Sequence, residues 1–296
     1  MRSSAAVNVL TTHLGDLAMN TATPIGLRRG SDTPQPVCIP AALRLRHTHV
    51  IGGSGTGKST LMEYMILHDI QRGHGVAVID SDGSLAERIL RLVQRRHIDR
   101  VIYLDPGDIN WIPLWNPLAC TSHTDRHRVV DHVVRALRSP ILGMGRGDRV
   151  EHLLRQAMFA VLHLPNGCLL DVANLLRRHS RRSAQIRAQL RQVIKDRWAA
   201  AFWEEDFDAY KQDDLSTPGY VLSKLLGSEI VESMLAHGQS AFDFHLIMET
   251  SQVLLVNLSK VGTEVRGILG SLVLSLLQLA ALGRGAGASA PPSSSM

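Results

Sequence analysis

From His47 onward the chain alternates short β-branched runs with longer stretches of helical apolar spacing. His47-Thr48-His49-Val50-Ile51 predicts a short strand leading into a glycine loop. An apolar-periodic helix follows over about Ser59–Gln71, and Gly73-His74-Gly75 closes it as C-cap glycines do. Val76-Ala77-Val78-Ile79 predicts a buried parallel strand with Asp80 at its carboxyl end. A helix over Leu85–Arg96 comes next, then a third strand, Val101-Ile102-Tyr103-Leu104, which ends at Asp105-Pro106-Gly107. Strand, helix, strand, helix, strand predicts a doubly wound α/β sheet.

Between about Asp125 and Leu235 helical periodicity replaces the strand signal, which predicts an all-α insertion. Its middle is basic (Arg177, Arg178, Arg181, Arg182, Arg187, Arg191) and its next stretch acidic (Glu204, Glu205, Asp206, Asp208, Asp213, Asp214). Strand character returns at Gln252–Leu258, and an apolar helix over Glu264–Leu282 follows. Residues 1–40 hold Pro24, Gly30, Pro34, Pro36 and Pro40 with weak periodicity, and are expected to be an irregular lead-in with room for one short strand or helix. The expected division is an irregular segment 1–40, an α/β core over 41–120 and 240–283, an all-α insertion over 121–239, and a disordered Gly/Ala/Pro/Ser-rich tail over 284–296.

Composition narrows the class. At 296 residues, 45% hydrophobic and 20% charged, the chain can bury a real core, which excludes disorder, collagen-like repeats and disulfide miniproteins. Cys38, Cys120 and Cys168 are odd in number, far apart and without a CxxC pair, against a disulfide framework or zinc finger. Aromatics are only 4%, which disfavours base-stacking platforms; the four tryptophans, Trp111, Trp115, Trp198 and Trp203, are expected in the core or in helix packing. The fourteen histidines include the His47/His49 and His123/His127 pairs but no HExxH or Cys/His cluster, so none is expected to ligate metal. Net charge is +5, and only Lys58, Lys195, Lys211, Lys224 and Lys260 are lysines. The basic cluster Arg177–Arg182 is expected to be a solvated helix end, with nucleic-acid backbone contact as its rival reading. The first twenty residues carry Asn8, Thr11, Thr12, His13 and Asp16 where a signal peptide has its apolar run. Ile268–Leu282 is broken by Ser271, Ser275 and Gln278 and falls short of about 20 apolar residues, so it is expected to be a core helix rather than a membrane span. These features point to a cytoplasmic protein.

The chemistry lies in Gly52-Gly53-Ser54-Gly55-Thr56-Gly57-Lys58-Ser59, which fits G-x-x-x-x-G-K-[ST] between a predicted strand and a predicted helix. Glycines let consecutive backbone N–H groups turn toward phosphates, and the following helix adds its positive end. Lys58 is expected to neutralise phosphate oxygens of ATP, and Ser59 to ligate Mg²⁺. Thr60 completes the binding segment Gly52–Thr60. Hydrolysis also requires a strand-end Asp near Mg²⁺ and a water-activating Glu. Asp80 is the better candidate for the Asp, although Asp80-Ser81-Asp82-Gly83 is equally good helix N-cap text; Asp105-Pro106-Gly107-Asp108 reads as a turn. Neither Asp has an adjacent Glu. A small-molecule P-loop kinase is disfavoured because the insert carries no recognisable acceptor-binding motif.

The stretch from His47 to Leu61 resembles the P-loop of the HerA/FtsK-type pumping ATPases, and is most similar to their type IV secretion coupling-protein branch (TraD/TraG-like conjugative DNA transfer). Gly73–Gly83, Val101–Pro106 with Asn116-Pro117-Leu118, Phe242-Asp243-Phe244 and Leu254–Lys260 resemble further stretches of that family in order, over roughly residues 41–283. The resemblance implies a RecA-like P-loop NTPase sheet with an inserted all-α domain, ATP and Mg²⁺ as cofactors, DNA as partner, hexamers, and a place beside a membrane secretion channel, peripheral to the inner membrane. Ser81 stands where the family has proline. The family's Asp-Glu strand, glutamine sensor and trans-acting arginine lie beyond the helix ending near Leu282, so the resemblance implies a C-terminally truncated motor that hydrolyses ATP poorly. The rival expectation is a nucleotide-binding module without turnover.

Overall fold

A computed structural model describes residues 22–28, 35–44, 46–120, 125–137, 147–195 and 197–287. The three apolar runs form one parallel sheet: β3 (Val76–Asp80), β4 (Val101–Leu104) and β5 (Val253–Asn257), in the order β3-β5-β4. The last strand in sequence is the central one, and it is buried throughout. Successive β5 side chains point to opposite faces of the sheet. Val253 and Leu255 join Val78 and the helices on one face, with Ile70, Leu85, Ala86 and Ile89. Leu254 and Val256 join Leu104 and the large helical core on the other.

The helices of the first face are α2 (Lys58–Gln71) and α3 (Ser84–Leu92). The expected helix over Leu85–Arg96 therefore stops earlier: Val93 turns extended and Arg95–Arg100 forms a separate 3-10 segment. Arg100 explains that segment's position. Its guanidinium donates to the carbonyls of Gly73 and His74, at 2.9 Å each, and to that of Ser251, clamping the amino ends of the three strands.

Two expectations about the first fifty residues are corrected. Residues 22–28 and 35–40 are not irregular: β1 (Ala22–Arg28) pairs antiparallel with β2 (Gln35–Pro40). Both strands of a two-stranded ribbon are edges, so Pro24, Pro36 and Pro40 can sit there despite their missing N–H groups. The ribbon and a short helix, α1 (Ala41–Arg44), are fastened to α2 by Arg44, which meets both carboxylate oxygens of Asp69 at 2.6 Å and the Thr23 hydroxyl at 2.7 Å. Burial works to raise the Asp69 carboxyl, but hydrogen bonds from His68 and Arg44, with their charges, hold it below its ordinary value. The second correction is His47–Ile51, which is not a strand; it runs as irregular chain, with Ile51 82% exposed. Only Val50 and Ile51 are apolar there, too little to bury a face, and the observed sheet pairs without them. Residues 1–21 lie outside the described residues.

The region read as all-α is helical. It holds α4 (Arg126–Ala136), α5 (Gly147–Val161), α6 (Leu169–Leu175), α7 (Arg181–Val193), α8 (Arg197–Ala201), α9 (Gln212–Leu226) and α10 (Glu229–Leu235). A short α11 (Phe244–Glu249) leads into β5, and α12 (Thr263–Gly287) follows it. On length and composition alone α12 could cross a membrane; here Ile268, Leu272, Val273 and Leu276 are buried in the core with Val129 and Val133 of α4. His132 of α4 lies 3.2 Å from the Ser275 hydroxyl of α12, and burial lowers its pKa. The helix continues to Gly287, four residues into the stretch expected as a disordered tail; residues 288–296 lie outside the described residues.

Candidate functional site

The loop Gly52–Gly57 projects into solvent ahead of α2, with Gly55 (φ 76°) and Gly57 (φ 93°) in the left-handed region that an L side chain resists. A Cβ on Gly52 would lie 2.6 Å from the Thr56 hydroxyl, so that position is closed to side chains by space. Gly57 precedes the helix without a side-chain cap, and the first turn carries no acid. The first N–H groups of α2 and its positive pole are thus left for an external anion. Lys58 Nζ folds back onto the carbonyls of Gly52 (2.9 Å) and Gly53 (2.6 Å), and the Thr56 hydroxyl donates to Gly53 O at 2.9 Å. Ser54 and Ser59 are exposed and Thr60 is half-buried. Uncapped amides, a lysine at the first helical position and a hydroxyl on the first helical turn fit the phosphates of a nucleotide and its Mg²⁺. The helix that carries them is pinned along its length: Glu63 meets Arg88 of α3 at 2.6 Å, and Asp69 holds Arg44.

Asp80 stands at the carboxyl end of β3, where ligands of parallel sheets gather. Its carboxylate accepts from the N–H groups of Asp82 (3.0 Å), Leu85 (2.8 Å) and Ala86 (3.0 Å), so it caps the start of α3. Among the described residues no hydrogen bond or ion pair joins it to the P-loop. Asp105, after β4, is buried; it accepts from Gly107 N–H at 2.8 Å and pairs with Lys260 Nζ at 2.6 Å. That hydrogen bond raises the Lys260 ammonium above its ordinary value. Between them, Asn257 ends β5 fully buried. Its Oδ1 accepts from Ser259 N–H and hydroxyl, and its amide donates to the Tyr103 hydroxyl at 2.8 Å. Gly83 (φ 80°) passes so close to Asn257 that a Cβ would collide with the amide. Sequence reasoning missed Asn257 and Lys260; the one signal available was polar residues directly after an apolar strand.

The basic cluster divides. Arg178 is built into the helical domain: it donates to the carbonyls of Phe207 and Tyr210 and, with Arg187, flanks Asp208 and the Phe207 ring. Arg182 meets Asp171 at 3.3 Å. Arg177, Arg181 and Arg191 are exposed and have no ion pair among the described residues. Of the tryptophans, Trp115 and Trp203 are buried as expected, whereas Trp111 is 81% exposed; the Trp198 side chain lies outside the described residues.

A parallel sheet ending in a strand-edge polar network, a glycine loop opening a helix, and a helical domain inserted before the central strand together make an α/β fold with a RecA-like sheet. Residues 35–137 match the family described as the type IV secretion-system coupling protein DNA-binding domain. Among solved structures, the fold is similar to the bacterial conjugative coupling protein TrwBdeltaN70 in an unbound form (TM-score 0.62, 16% identity, 95% of this chain and 58% of that one). It is also similar to the plasmid coupling protein TrwB in complex with ADP and Mg²⁺ (TM-score 0.52, 16% identity, 78% and 51%). The chain thus spans little more than half the length of these relatives. No curated protein sequence matches it. Over residues 35–137 the chain is thus similar to the type IV coupling proteins, and its fold resembles theirs.

Proposed function

We propose that this chain binds Mg-ATP and belongs to a DNA-translocating ATPase of conjugative or type IV secretion transfer. The observation that carries this reading is the uncapped, acid-free amino end of α2, preceded by two left-handed glycines and opened by Lys58. Gly52–Thr60 would hold the nucleotide, Lys58 the phosphate charge, and Ser59 the Mg²⁺ ion, which supplies further neutralisation of phosphate when bound. The complex of TrwB with ADP and Mg²⁺ supports the same ligand here. Work as a hexamer beside a membrane secretion channel, at its cytoplasmic side, belongs to the same reading. Titration calorimetry with Mg-ATP should give single-site binding that weakens at least ~10-fold in Lys58→Ala, the worth of a charge-assisted hydrogen bond. Equal affinities would sink the assignment.

A second reading, a nucleotide-binding module without turnover, is favoured by Asp80 and Asp105, whose carboxylates are both engaged within the fold.

For DNA, the available cations are Arg177, Arg181 and Arg191, not the whole cluster. Binding to phosphates releases counterions, so replacing all three by Ser should flatten the plot of log affinity against log salt by roughly 0.7–0.9 per phosphate no longer neutralised. Arg178→Ser should act on stability instead, because it empties a bonded position. A triple variant with unchanged slope would return these arginines to a solvated surface.

A further inference from the structure

We propose that a cavity among the segments that follow β4, α5 and α10 is a second anion site, built for a phosphate group and independent of the P-loop. The cavity measures about 250 Å³ and is lined by Asn116 and Cys120 after β4, Arg126 of α4, Leu164 and Asn166 after α5, and Gly238 after α10, among others. Among the described residues no Asp or Glu lines it, and its wall is mostly polar.

Arg126 is the anomaly. Other half-buried arginines have partners: Arg44 has Asp69, Arg155 has Glu151, Arg187 has Asp208, and Arg266 has the carbonyls of Ser259 and Val261. Half-buried Arg126 makes no hydrogen bond or ion pair among the described residues. A guanidinium partly withdrawn from water without a counter-charge is costly, and a bound anion removes that cost. Its place compounds the effect. Arg126 opens α4, whose first turn has no acid, with Asp125 at the N-cap, so a fixed cation stands within a turn of the helix's positive end. Asp125, just before, turns to Arg128 at 3.5 Å.

The wall is preformed. Asn116 is buried, with its amide donating to Gly167 O (2.9 Å) and Gly238 O (3.1 Å) and its oxygen accepting from Leu118 N–H. Gly238 abuts the Asn166 backbone so closely that no Cβ fits, and Asn166 is held at φ 58°. The exposed Asn166 carboxamide makes no hydrogen bond among the described residues and stands at the cavity's rim as a second donor. A volume just under the ~300–1,000 Å³ of small-molecule pockets suits a phosphate with little attached to it.

The test uses the whole chain carrying Lys58→Ala, so that the P-loop is silenced and failure of the nucleotide reading cannot be mistaken for failure of this one. Inorganic phosphate and a 5′-phosphorylated trinucleotide of DNA are titrated separately by calorimetry, with thermal melts alongside. At least one should bind one-to-one, weaken roughly tenfold or more with Arg126→Leu, and recover in part with Arg126→Lys. Binding of inorganic phosphate identifies a free anion as sufficient; binding of the trinucleotide alone identifies a nucleic-acid phosphate. No binding of either, or affinity indifferent to Arg126 in variants that melt like the parent, overturns the proposal.

Discussion

Phosphate release from ATP by this chain should stay near background, with or without DNA, even where ATP binds. Transfer to water requires a positioned group to orient the nucleophile, and in P-loop NTPases an arginine supplied in trans is worth roughly 10³–10⁵ in rate. The sheet ends in two aspartates. Asp80 already accepts three backbone N–H groups, and buried Asp105 is neutralised by Lys260. Among the described residues no other carboxylate ends a strand of this sheet. Freeing Asp80 would uncap α3, and freeing Asp105 would strand a buried charge, so neither is easily recruited. A coupled phosphate-release assay decides the matter. Turnover of many cycles per minute that vanishes in Lys58→Ala would show that one of these aspartates leaves its structural post during the reaction.

Trp115→Ala should cost roughly 3–5 kcal/mol of stability, the range for deleting a large buried ring. Trp115 is 2% exposed, and its ring packs against Phe244 edge-on at 5.9 Å and against Phe242 at 6.2 Å. Its backbone N–H donates to Met234 O, and the Ala241 N–H donates to Leu114 O. The residue thus joins the segment leaving the sheet to the segment returning to it. Trp111, four positions earlier and projecting into solvent, should lose less than about 0.5 kcal/mol on the same change. Urea unfolding followed by circular dichroism gives both numbers. Similar midpoints for the two variants would mean that the joint does not depend on the buried ring.

The glycine loop and the helix start after it were legible in the sequence because they are local: the left-handed glycines, Lys58 and the first turn of α2 all lie within nine consecutive positions. Strands β3, β4 and β5 were legible as β-branched runs, but their order was not, because parallel neighbours are chosen by distant crossovers. The Lys260–Asp105 and Asn257–Tyr103 pairings were hidden for the same reason, with partners 155 and 154 residues apart. The β1–β2 ribbon was masked by prolines, which weaken a strand reading except where both strands are edges. In the helical domain, the adjoining basic and acidic blocks did hold a usable signal. Arg178 and Arg187 reach Asp208, so neighbouring blocks of opposite charge marked an internal pairing, whereas the clustering alone suggested an external one.

The central place of β5 also governs the time course of folding. Among the described residues β3 and β4 do not pair with each other; each pairs with β5, which is made after the helical domain. On a ribosome, both early strands must wait, unpaired on the edges that β5 will fill, while the intervening helices assemble from largely local interactions. The sheet then closes in one late step, across loops of about 150 residues (Arg100 and Ser251 are 151 apart), which is the kind of long-range pairing that folds slowly. During that interval Val78 and Leu104 have no sheet to bury them, and the nascent chain is at its most exposed to aggregation.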